Sequence, residues 1–88
     1  METETMKLKQ DLVRTEARVT LLDARATLER AIREIDRYLK NFDEAENDHD
    51  RARALNWTIN YLATGVLGNL RLDRIADQQA ELARLANS

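Results

Sequence analysis

Glu46 and His49 stand three residues apart inside one acidic run, Asp43-Glu44-Ala45-Glu46-Asn47-Asp48-His49-Asp50. On a helix that spacing puts both side chains on one face, as in the Glu-x-x-His half-sites of helical carboxylate di-iron proteins. A working centre also needs carboxylates from other helices, and Glu34 and Asp36 are the nearest suppliers. The run is polar throughout, so it reads as a solvated junction and not as a bundle interior. Calcium fits no better, because the run has no Gly at the sixth position of a calcium loop and no Glu at the twelfth. The expectation is no metal and no cofactor.

Nucleophilic chemistry is equally poorly supplied. The chain has no Cys, and its only Ser is Ser88, which leaves no material for a Ser- or Cys-based triad. No Gly-rich phosphate loop occurs either. No residue is therefore expected to be catalytic, and the protein is not expected to be an enzyme.

Lys7, Arg14, Arg18 and Arg25 fall within a narrow arc of one helical surface, interrupted by Asp11. Phosphates could dock on such a ridge, which makes these four the candidate contacts for a nucleic-acid-binding regulator. Against this alternative, 14 Lys and Arg balance 16 Asp and Glu for a net charge of −2, and no aromatic is interleaved with the ridge to stack bases. Nucleic acid is not the expected partner.

What must position these groups is helix. With 88 residues there is room for one domain, and the chain has no Pro and only two Gly. Ala, Leu, Arg and Glu, the best helix formers, dominate both sides of the acidic run. The pattern predicts an all-α fold in which a helix over about 4–41 and another over about 48–86 flank an acidic turn at about 42–47, forming an antiparallel two-helix hairpin. At the turn, Asn41 is expected to end the first helix in a left-handed conformation, and Asp43 or Asp48 to cap the second.

One apolar seam is read through Met6, Gln10, Val13, Ala17, Leu21, Ala24, Leu28, Ala31, Ile35, Tyr38 and Phe42. Its partner runs through Ala54, Trp57, Tyr61, Gly65, Gly68, Leu72, Ile75, Gln79, Leu82 and Ala86. Each seam carries one extra four-residue step, a stutter in a left-handed helix pair. Aligning the halves about position 45 sets Gln10 against Gln79 and Ala24 beside Gly65 and Gly68. The two glycines then permit close approach in a continuous, bent second helix; the alternative is a helix kinked or broken at them.

A second apolar stripe remains on each helix. Leu8, Leu12, Thr15, Val19, Leu22 and Ala26 form one, and Leu55, Ile59, Leu62, Val66 and Leu70 the other. A monomer of this size buries only roughly 60–65% of its unfolded surface, so help from a second chain is expected. Pairing of the stripes about a two-fold axis would give a homodimeric four-helix bundle, with Leu8, Leu12, Val19, Leu22, Leu55, Ile59, Leu62, Val66 and Leu70 at the interface. The functional expectation is a small non-catalytic interaction protein, an adaptor, inhibitor or regulator acting as a homo-oligomer, with an unidentified protein partner as the other candidate occupant of the stripes. The polar amino terminus shows no targeting or lipidation pattern, from which a cytoplasmic location and no membrane partner are expected.

Overall fold

The computed structural model of the protein describes residues 2–87; Ser88, the sole serine, lies outside them, as does Met1. The fold is all-α, and no strand occurs among the described residues. Helix α1 spans Glu2–Glu44, and helix α2 spans Asp48–Asn60. A π-helical turn follows at Tyr61–Val66, then the short α3 at Leu67–Leu70 and α4 at Leu72–Ala86.

Helix α1 passes through Asn41 without leaving helical geometry, since the only non-glycine residue with positive φ among those described is Arg71. The cap of α2 is Asn47, whose side-chain oxygen accepts from the Asp50 amide at 2.9 Å, so neither Asp43 nor Asp48 takes that position. Asp48 and Asp50 instead sit in the first turn, where their charge complements the exposed amides. Helix α1 has no basic residue in its own last turn, and Arg51 of α2 supplies the missing cation. Its guanidinium donates to the Ala45 carbonyl at 3.0 Å and to Asp48 at 2.7 Å, tying the two ends of the turn together.

The second half of the chain is interrupted at the π-turn that contains Gly65 and again at Arg71, three residues beyond Gly68. Both glycines keep negative φ, and a side-chain methyl at Gly68 would meet nothing within 4 Å. At Gly65 the same methyl would sit 3.2 Å from the ring of Tyr61, four residues earlier in the same segment. Gly65 thus makes room for a neighbouring ring, and Gly68 faces open space; close approach of α1 is not their role. The break lies at Arg71, with φ 52 and ψ 55. Thr58, Thr64 and Asn69 each bond a carbonyl four residues back, the kind of competition that bends a helix.

The chain divides into two compact units, Met1–Ala24 with Arg71–Ser88, and Arg25–Leu70. The second is an antiparallel hairpin in which the rings of Tyr38 and Tyr61 meet edge to face at 6.2 Å. Alignment about position 45 would have placed a residue near 52 beside Tyr38, so the true pairing is displaced toward the carboxyl end. In the first unit the Gln10 amide donates to the Leu85 carbonyl at 3.2 Å, while Gln79 is exposed; the expected Gln10 to Gln79 crossing is not formed.

Burial along α1 follows Gln10, Val13, Ala17, Thr20, Ala24, Thr27, Ala31, Glu34 and Tyr38, a strict alternation of three and four with no stutter. Thr20 and Thr27 replace the expected Leu21 and Leu28, which are 61% and 48% exposed. Small side chains let two helix axes come close, and threonine fits because its hydroxyl can bond its own helix, as Thr20 does to the Glu16 carbonyl at 3.0 Å. The inner residues of the hairpin unit are accordingly small: Thr27, Ala31, Ala54 and Val66. On the other side of that hairpin, Trp57 is exposed and Thr58 takes the inward position.

Candidate interaction surface

Placing small residues inside puts the large apolar ones outside. On α1 within the hairpin unit, Leu28, Ile32, Ile35 and Leu39 recur at steps of four, three and four, and on α2 and the π-turn Leu55, Ile59 and Leu62 do the same. Their exposure runs from 36% at Leu62 to 64% at Ile59. The two rows lie on one flank, because a depression of about 250 Å³ is lined jointly by Ile35, Leu39 and Phe42 from α1 and by Leu55 and Thr58 from α2. At these exposures the flank presents on the order of 600 Å² of apolar surface, the upper end of the largest patch on an ordinary monomer.

The opposite flank of the same unit is different in chemistry. A wider groove of about 590 Å³ is lined by Arg37, Tyr38, Asn41, Trp57, Asn60, Tyr61 and Thr64. Its polar groups are partly engaged already. Arg37 donates to Glu34 at 2.8 Å and lies 5.6 Å from the Tyr38 ring centre, and the Thr64 hydroxyl donates to the Asn60 carbonyl.

The residues expected at an interface are placed unevenly. In the first unit Leu8, Leu12, Val19 and Leu22 are all exposed, on the side of α1 away from its buried seam. In the hairpin unit Leu55, Ile59 and Leu62 are exposed, whereas Val66 is only 6% exposed and Leu70 is half-buried. The π-turn turns Val66 inward: its added residue shifts the phase of everything after Gly65. Ile32 and Leu39 belonged to neither the seams nor the stripes read from sequence. The available signal was the seven-residue repeat of Leu28 with Ile35 and of Ile32 with Leu39.

Lys7, Arg14, Arg18 and Arg25 are all exposed. Arg14 pairs with Asp11 at 3.2 Å and Arg25 with Glu29 at 3.6 Å, so two of the four cations are partly neutralised by their own helix. Near the carboxyl end, Arg84 donates to Glu81 and holds that carboxyl below the usual carboxylate range, with Lys9, 4.0 Å away, adding a smaller effect. Glu46 and His49 are both exposed, and the imidazole lies 3.5 Å from the Arg53 guanidinium. Glu34 is half-buried against Arg37 and Asp36 is exposed. Among the described residues no group of three or more His, Asp or Glu side chains is arranged to hold a metal, and no helix is long and apolar enough to cross a membrane.

No family model, curated protein or solved structure matches this chain.

Proposed function

We propose that the protein is a small, non-catalytic α-helical interaction module, an adaptor, inhibitor or regulator, that works as a homo-oligomer. The observation that carries this reading is the flank formed by Leu28, Ile32, Ile35 and Leu39 with Leu55, Ile59 and Leu62: seven large apolar side chains exposed together on a hairpin whose interior holds mainly Ala and Thr. Covering such a surface removes a contiguous apolar area from water, which favours association. The basic ridge of α1 supports nucleic-acid binding less well, since its ion pairs with Asp11 and Glu29 reduce the field it offers a phosphate chain.

Sedimentation or light scattering across a concentration series tests the reading. The expected mass is a multiple of the 10.2 kDa chain at tens of micromolar, falling toward the monomer on dilution. A mass that stays at 10.2 kDa over the whole series would remove the homo-oligomer.

A further inference from the structure

Resting on that reading, we infer that the occupant of the apolar flank is the same flank of a second copy, related by a two-fold axis parallel to the helices, so that α1 of each hairpin lies against α2 of the other. Two such faces would bury on the order of 1,200 Å² together, the lower edge of the range for stable specific interfaces. The two rows meet at the centre of the face, where Ile35 and Leu39 of α1 share one depression with Leu55 of α2.

Charge selects the axis. Two flanks can pair about a two-fold axis either along the helices, which sets α1 against α2, or across them, which sets α1 against α1. Glu29, Asp36 and Asp43 recur every seven residues along the outer edge of the α1 row, and all three are exposed. The matching edge beside the α2 row carries Ala52, Asn56 and Ala63. Setting α1 against α1 brings Asp36 near its own counterpart, on edges where Arg25 is engaged with Glu29 and Lys40 is the other cation. Setting α1 against α2 puts each acidic edge beside a neutral one, which removes that repulsion. The broad groove of Trp57, Tyr61 and Asn41 stays open on the far side of each hairpin.

The chain has no native Cys, so single thiols report directly. Ile35→Cys and Leu62→Cys chains, one carrying a mass tag, are mixed, refolded together and treated with a short thiol–thiol cross-linker. The expected product is a covalent dimer containing one chain of each kind, with at least about ten-fold less product from either variant alone. Efficient cross-linking of Ile35→Cys with itself would overturn the inference in favour of α1 against α1. Absence of product in every combination, with the parent still dimeric, would place the interface elsewhere and also overturn it. A monomeric parent would instead bring down the homo-oligomer reading on which the inference rests. As a check independent of the thiols, Ile59→Glu should weaken dimerisation by about a hundred-fold or more while helicity persists, because it sets a charge in the apolar contact. Leu12→Glu, outside this flank, should leave the dimer intact, and the reverse result would overturn the inference.

Discussion

Gln10 donates its side-chain amide to the main-chain carbonyl of Leu85, 3.2 Å away, within the unit formed by Met1–Ala24 and Arg71–Ser88. Leu85 lies in the last turn of α4, where carbonyls run short of helical partners: the Asn87 amide is shared between the Ala83 and Leu85 carbonyls, and the glutamine adds a second donor to Leu85. Gln10→Leu is expected to lower stability by about 1 kcal/mol, because it removes a donor from the carbonyl of buried Leu85. Gln79→Leu, at an exposed position, should change stability little, and the two should be additive. Urea unfolding of the two single variants and the double variant checks this, and coupling between them would contradict the observed pairing.

The two glycines should respond oppositely to alanine. Gly68→Ala gains helix propensity in open space and should stabilise by about 1 kcal/mol. Gly65→Ala gains the same propensity but puts its methyl 3.2 Å from the Tyr61 ring, so its gain should be smaller or reversed. Thermal unfolding monitored by circular dichroism measures both, and the Tyr fluorescence of Gly65→Ala should shift where that of Gly68→Ala does not.

Arg71 holds a left-handed conformation that its Cβ disfavours. Arg71→Gly relieves that strain at the cost of greater freedom in the unfolded chain, for a net gain of about 0.5–1 kcal/mol. Arg71→Val, with a branched Cβ, should destabilise by more than 1 kcal/mol, on the order expected for a disfavoured backbone region. Equilibrium denaturation of the two variants should therefore bracket the parent; Val above Gly would mean that Arg71 is helical in solution.

Ala54 is only 2% exposed, and Ala31 is buried in the same unit. Ala54→Leu forces extra methylene groups into a buried position of the hairpin and should cost about 1–3 kcal/mol or more. Ala52→Leu, at an exposed position on the same helix, should cost well under 1 kcal/mol, as surface changes generally do. Calorimetric melting temperatures of the two variants give the comparison.

Helix content and the position of the turn could be read from the chain because the helix formers cluster on both sides of a polar run, and both signals are local. The inner seam was harder to read. Thr20 and Thr27 look like surface residues by polarity, while Leu21 and Leu28 beside them look like core. The assignment reverses because close helix packing rewards small volume and because a threonine hydroxyl can be satisfied within its own helix. The same reversal hid half of the candidate face. By spacing, Leu28 and Ile35 fall on the inner seam and Ile32 and Leu39 on no stripe at all, whereas Ile59 and Leu62 stand out as surplus. The π-turn that carries Val66 inward leaves no mark in composition, since Tyr61–Val66 is an ordinary helical sequence apart from Gly65.

The bond between Gln10 and Leu85 joins residues 75 positions apart, whereas Arg51 and Ala45 at the turn are separated by only 6. Closing a long loop costs more chain entropy than closing a short one, and contacts near in sequence form first. The hairpin of Arg25–Leu70 should therefore nucleate at its own turn and grow outward, while the unit containing both ends of the chain is completed last and opens first. In native-state hydrogen exchange, amides of α4 and of the first turns of α1 should be the early losses. Time order in folding is thus set by the same three-residue turn that Asn47 and Arg51 hold in place.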